Sequence, residues 1–199
     1  MMATAPAPEL LTDHRGNPKP RVESSLTYAQ ARLGTAFHEA GHAVLAMSYG
    51  FHVVSSEVIA WDLGEGEWGL TGNTATRPSE VHAWRFAAMC AAGALANVRY
   101  LMIHGLWTPE RAAACAAVHD REQAIDILAE NGFPLCRDRV PAGGKSWGQV
   151  RGMAARKVDH LWWEIRTVAH AMNENTKLTG EQIAAMTGLT NAPMVGGAA

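Results

Sequence analysis

The run GTAFHEAGHAVLA, residues 34–46, limits what this chain can build more than any other stretch. An α-helix turns about 100° per residue, so His38 and His42 stand about 40° apart on one face, one turn from each other. The flanks support the helix. Thr27 with Gln30 three residues on forms a capping-box pattern, helix formers continue to about Ser48, and Gly50 supplies a stop. Phe37, Ala40, Val44 and Leu45 recur at helical spacing, which predicts a packed helix. Gly41 costs about 1 kcal/mol relative to alanine inside such a helix, so a close approach of a neighbour is expected there.

Two imidazoles one turn apart can both ligate one tetrahedral ion. Glu39 projects about 100° from His38, too far round for an easy third ligand but well placed to take a proton from a metal-bound water. Zinc acidifies its water towards a pKa of about 7, and a carboxylate beside it serves as general base. The plainer alternative is a structural helix whose histidines are ordinary core or surface residues. The metzincin continuation is excluded, because Leu45 and Ser48 occupy the places of its glycine and third histidine. A third ligand must come from another helix. Glu80, His82, Glu110, His119, Asp120 and Glu122 are candidates, and spacing does not choose among them.

Past Gly50, Val53, Val54, Val58 and Ile59 favour a strand, DLGEGE is turn chemistry and WGLTG returns as a second strand. A second helix is predicted from about Ser79, as N-cap, to His104. A third opens at Thr108 and Pro109 and reaches about Glu130. CRDRVPAGGKSWG reads as a loop. It is no phosphate-binding loop, since Arg139 stands where the first glycine belongs. A fourth helix is expected over about 147–174, and a short last one follows Thr179 and Gln182.

Net charge of -2 gives no argument for nucleic acid or an anionic membrane surface. The richest apolar window, FAAMCAAGALANVRYLMI, is interrupted by Asn97 and Arg99 and reads as a buried core helix rather than a membrane span. Cys90, Cys115 and Cys136 form neither a disulfide framework nor a metal motif, which points to a reducing, cytoplasmic setting. The tryptophans read as core and rim residues. Trp68 is set apart by its place beside GLTG, where an edge strand could pair with an extended peptide along Gly69–Thr71. Residues 1–26 read as a flexible N-terminal arm, 27–190 as one domain and 191–199 as a flexible tail.

TAFHEAGHAVLA resembles the zinc helix of the FtsH-type ATP-dependent proteases, whose peptidase domains carry His-Glu-Ala-Gly-His in a similar apolar setting. VVSSEVIA…EWGLTGN resembles the strand pair that follows it, and AAMCAAGALANVRYL occupies the place of the next family helix. AAVHDREQAIDIL resembles the segment that supplies the third zinc ligand, and LWWEIRTVAHAMNENTKLTGEQIAAM resembles the closing helices. The likeness covers roughly 28–188, and the first motif is its specific part. It implies a mainly α fold: a helical zinc-peptidase bundle with a small two- or three-stranded β element after the first helix. It implies Zn2+ held by His38, His42 and Asp120, with Glu39 as base, in a metalloendopeptidase acting on peptides or unfolded proteins.

Two departures stand out. The family's ATPase module is missing, so activity independent of ATP, or a separate unfoldase as partner, is implied. A homo-oligomer different from the family's hexameric ring is the matching expectation for assembly. Asn97 stands near the place of the family's acidic pair, which leaves a catalytically silent zinc-binding module of the same fold as a rival.

Overall fold

The computed structural model describes residues 6–20, 25–77 and 81–194. The first helix, α1 (Tyr28–Ser48), starts with the expected capping box: the Gln30 N–H donates to Thr27 Oγ1, and the Thr27 N–H donates to Gln30 Oε1. Almost every residue from Ala36 to Met47 is buried, because α1 is packed from several sides. The helices α2 (Ala83–Ile103) and α6 (Trp162–Asn175) lie along it, and a small sheet covers another flank. Phe37 stacks between the rings of Tyr100 and Trp162, at 5.0 and 5.3 Å between centroids. The glycine inside the motif has the packing reason expected of it. A Cβ on Gly41 would sit 2.8 Å from the Ala92 carbonyl oxygen, so the α1–α2 approach requires its absence.

Strands β1 (His52–Gly64) and β2 (Glu67–Arg77) form the predicted hairpin, longer than the valine pattern suggested. A third strand, β5 (Lys177–Thr179), arrives from the far end of the chain and pairs with β1 at Ser55–Glu57. The sheet order is β2-β1-β5, all antiparallel, so β2 is an edge strand. The fold is mainly α with a small three-stranded antiparallel sheet. A two-residue parallel pair, β3 (Leu135–Cys136) with β4 (Lys145–Ser146), ties together the stretch read as a loop, beginning one residue before it.

Three helices differ from expectation. Within the described residues α2 begins at Ala83 with His82 as its cap; Ser79 lies outside them. The single helix expected over 108–130 is two, α3 (Pro109–Ala114) and α4 (Val118–Glu130). Ala117, at φ 42°, takes the left-handed conformation and turns the chain between them. The helix expected over 147–174 is also divided, at Leu161, into α5 (Trp147–His160) and α6. The last helix, α7 (Gly180–Thr187), keeps its Thr179–Gln182 capping box.

By length and composition α2 could cross a membrane, yet 56% of its most apolar window is buried inside the fold. It packs on α1, α4 and α5, so its small apolar residues serve close helix contacts. Of the stretch read as an arm, residues 6–20 lie against the body. A 3₁₀ turn (Pro8–Leu11) rests on β2, and His14 and Arg15 reach Asp126 on α4.

Candidate metal centre

The centre assembles from α1 and α4, with α2 and β2 as its walls. On α1, His38 and His42 face the same way, with their Nε2 atoms 3.0 Å apart. The break at Ala117 places Asp120 in the first turn of α4, where Asp120 Oδ2 lies 3.2 Å from each of those nitrogens. One donor atom from each of the three residues thus falls within a 4.8 Å cluster. A straight helix over 108–130 would not have turned Asp120 independently of Pro109.

The surroundings suit a cation. His42 Nδ1 lies 2.8 Å from the Met89 carbonyl oxygen and donates to it, so Nε2 is the nitrogen that faces Asp120 and that would offer its lone pair to an ion. Gly93, on the next turn of α2, lies beneath the two rings, and a Cβ there would overlap both Nε2 atoms. Two neutral imidazoles and a carboxylate form a donor set that matches Zn2+ in charge and softness.

The electrostatics agree. Burial alone would lower the His42 pKa, but the Asp120 charge and hydrogen bond outweigh it and push it up to about 9. Burial alone would raise the Asp120 carboxyl, but the two imidazoles hold it well below the usual carboxylate range. A positive charge between these groups is therefore strongly favoured, and a metal ion would compete with the proton for the place. His119 Nε2 lies 3.3 Å from the second Asp120 oxygen, and burial pushes the His119 pKa down.

Glu39 is outside the three-residue cluster but lines the same cleft of about 310 Å³. It is buried, and its Oε2 accepts from Thr74 Oγ1 at 2.7 Å. Ser56 Oγ lies 2.8 Å from Thr74 Oγ1, so a chain of donors running from Ser56 to Thr74 to Glu39 satisfies all three. Gly72 gives the carboxylate its room, since a Cβ there would overlap it.

Of the candidate third ligands, the structure brings only Asp120 to both histidines among the described residues; Glu80 lies outside them. Glu122 instead binds Arg121 and Arg137, and His82 caps α2. Glu110 sits in the first turn of α3. Trp68 packs edge-on against Tyr28, and the strand residues bordering the cleft are Gly72, Asn73, Thr74 and Thr76, beyond Gly69–Thr71. Asn97 lies against Gly34, one turn before His38 on α1, and is not among the three clustered residues. Cys90 and Cys115 are buried, and burial raises both thiols, that of Cys115 to about 11.

Thr74, Gly72 and the Met89 carbonyl went unnoticed at the level of sequence. The signal for Gly72 and Thr74 was their place in GLTGNT, directly after the motif helix and its first strand. A backbone carbonyl leaves no signal of its own.

No protein-family model matches this chain, and no curated protein matches it.

Proposed function

We propose that the protein is a zinc-dependent metallopeptidase of the FtsH-type peptidase fold, acting on peptides or unfolded segments. The observation that carries this is the separation of roles around one cleft. Three donor atoms converge on a point, and a fourth, acidic residue stands beside them without joining them. His38, His42 and Asp120 would hold Zn2+, which when bound supplies Lewis acidity to a water and to the scissile carbonyl. Glu39 would serve as the base that accepts a proton from the attacking water and passes it to the leaving amine. Thr74, donating to one oxygen of Glu39, fixes the carboxylate so that the other oxygen is free for this transfer. The Met89 carbonyl keeps His42 in the tautomer that a metal needs.

The edge strand β2 borders the cleft, which suits an extended peptide adding to the sheet beside the centre. The fit to a peptide rather than a folded protein follows, because only an extended backbone can pair with a strand edge.

Purified protein is analysed for metal, and a peptide library or casein is digested with and without chelator. About one zinc per chain and chelator-sensitive cleavage are expected. Zinc without cleavage would instead favour a silent binding module, and no metal would sink both.

A further inference from the structure

We propose that residues 7–19 are a built-in gate over the metal cleft, latched to α4 by Arg15 and His14; this rests on the metallopeptidase reading above. The gate shares one cleft with the centre: Leu10, Thr12, Asp13 and His14 line it together with Glu39, His42 and Asp120. It also rests on β2, the strand an extended substrate would join. A peptide entering from that side must displace it.

The segment has its own structure. Thr12 pairs with Pro18, and Asp13 closes the tight turn between them by accepting from the N–H groups of Arg15 and Asn17 at 2.9 and 2.8 Å. The turn presents two side chains to one carboxylate. Arg15 grips Asp126 with a fork, Nε to Oδ2 at 2.6 Å and Nη2 to Oδ1 at 2.7 Å, and His14 Nε2 lies 2.6 Å from the same Oδ2. Asp126 stands on α4, six residues past Asp120, so the latch is anchored to the helix that carries the third ligand.

The latch is built to open. No residue of the 3₁₀ turn is buried, so little apolar surface holds it down. The Arg15 side chain is 52% exposed, and pairs of that kind are screened by salt and individually weak. A weak tie is enough, because a tethered segment competes with substrate at an effective concentration that free peptides rarely match. The gate is thus a competitor in cis for the peptide, and its opening raises apparent affinity without touching the chemistry.

The test uses the full chain with Arg15→Asp, and with the exchanged pair Arg15→Asp/Asp126→Arg. Three quantities are measured: hydrogen exchange of the amides in residues 10–19, the rate at which a chelator strips zinc, and kcat and KM for a peptide. Arg15→Asp should speed exchange and stripping and lower KM by up to about fivefold with kcat unchanged. The exchanged pair should return all three towards wild type. Released amides with unchanged stripping and KM would overturn the gate while leaving the enzyme intact, as would amides that Arg15→Asp does not release. Zinc absent from every variant would remove the metallopeptidase reading, and the gate with it.

Discussion

His42 Nδ1 lies 2.8 Å from the carbonyl oxygen of Met89, and that bond decides which ring nitrogen faces Asp120. With Nδ1 committed as a donor, Nε2 meets the Asp120 carboxylate and the Nε2 of His38 within 3.2 Å. Such a group holds together only around a positive charge.

In the metal-free protein that charge is a proton on His42. Its pKa rises from 6.5 to about 9 on folding, through the Asp120 charge acting against burial. A raised value means the proton's stabilisation is complete below the unfolded value of 6.5 and is lost as pH climbs through about 9. Asp120 shifts down, so its contribution is present above 3.8 and is lost as pH falls through its lower folded value. The metal-free protein should therefore be most stable between these limits and weaken on the alkaline side. Zinc-saturated protein should lack that alkaline loss, and its apparent affinity should rise about tenfold per pH unit between 6.5 and 9. Thermal melts across pH, with and without zinc, check both; parallel profiles would remove the proton–metal competition.

Glu39→Gln keeps the size of the side chain and its bond from Thr74 but removes the carboxylate proposed as base. Zinc content should stay at the wild-type level while peptide turnover falls by at least about 10²–10⁴-fold. Turnover that survives in a zinc-loaded Glu39→Gln sample takes Glu39 out of the mechanism.

Asp120→Ala removes the donor that ties α4 to the motif helix. Zinc affinity should drop steeply, because two imidazoles one turn apart make an incomplete site. The two histidines then lose their counter-charge, so the metal-free variant should also lack the raised His42 titration. Metal content equal to wild type after dialysis would move the third ligand elsewhere.

Gly93→Ala tests the room beneath the imidazoles. The added methyl would overlap His38 Nε2 and His42 Nε2, and buried backbone on α2 leaves it nowhere to go. A cost of about 1–3 kcal/mol from overpacking is expected, together with a loss of zinc affinity. Gly41→Ala is the informative comparison. Its methyl meets the Ala92 carbonyl rather than the ligands, so it should lower stability with zinc affinity largely kept once folded. Equal effects on zinc from both would mean that packing alone is at stake.

The motif helix was legible because its signals are local: a capping box, a stop, and two histidines whose angle follows from helix geometry. The hairpin was legible for the same reason, with β-branched residues on either side of DLGEGE. The joining of Asp120 to the histidines was not, since nothing in RAAACAAVHDREQ marks a break and alanine favours helix. The left-handed turn at Ala117 falls on a residue type that gives no sign of it, and only the resemblance pointed to Asp120. Strand β5 was hidden because a three-residue pairing with a distant partner has no local pattern. The docked part of the N-terminal stretch was hidden by its proline-rich, polar composition, since it is held by a turn and charges rather than by an apolar face.

Thr74→Val keeps the shape of the side chain and removes one hydroxyl. In the structure that hydroxyl stands between Ser56 Oγ and Glu39 Oε2, at 2.8 and 2.7 Å. Without it the buried carboxylate loses a donor, and Ser56 loses an acceptor. Glu39 then lacks the bond that holds its carboxylate in place beside the cleft. Zinc binding involves neither group and should be unchanged. On the proposed reading a substrate would still pair with the strand through backbone atoms, so KM should hold. The loss should fall on kcat, by about tenfold, the usual scale for a donor that orients a reacting group without touching the substrate. Steady-state kinetics on zinc-loaded protein measure this split. A rise in KM at constant kcat would place Thr74 in substrate binding instead, and wild-type kinetics would show that Glu39 needs no such support.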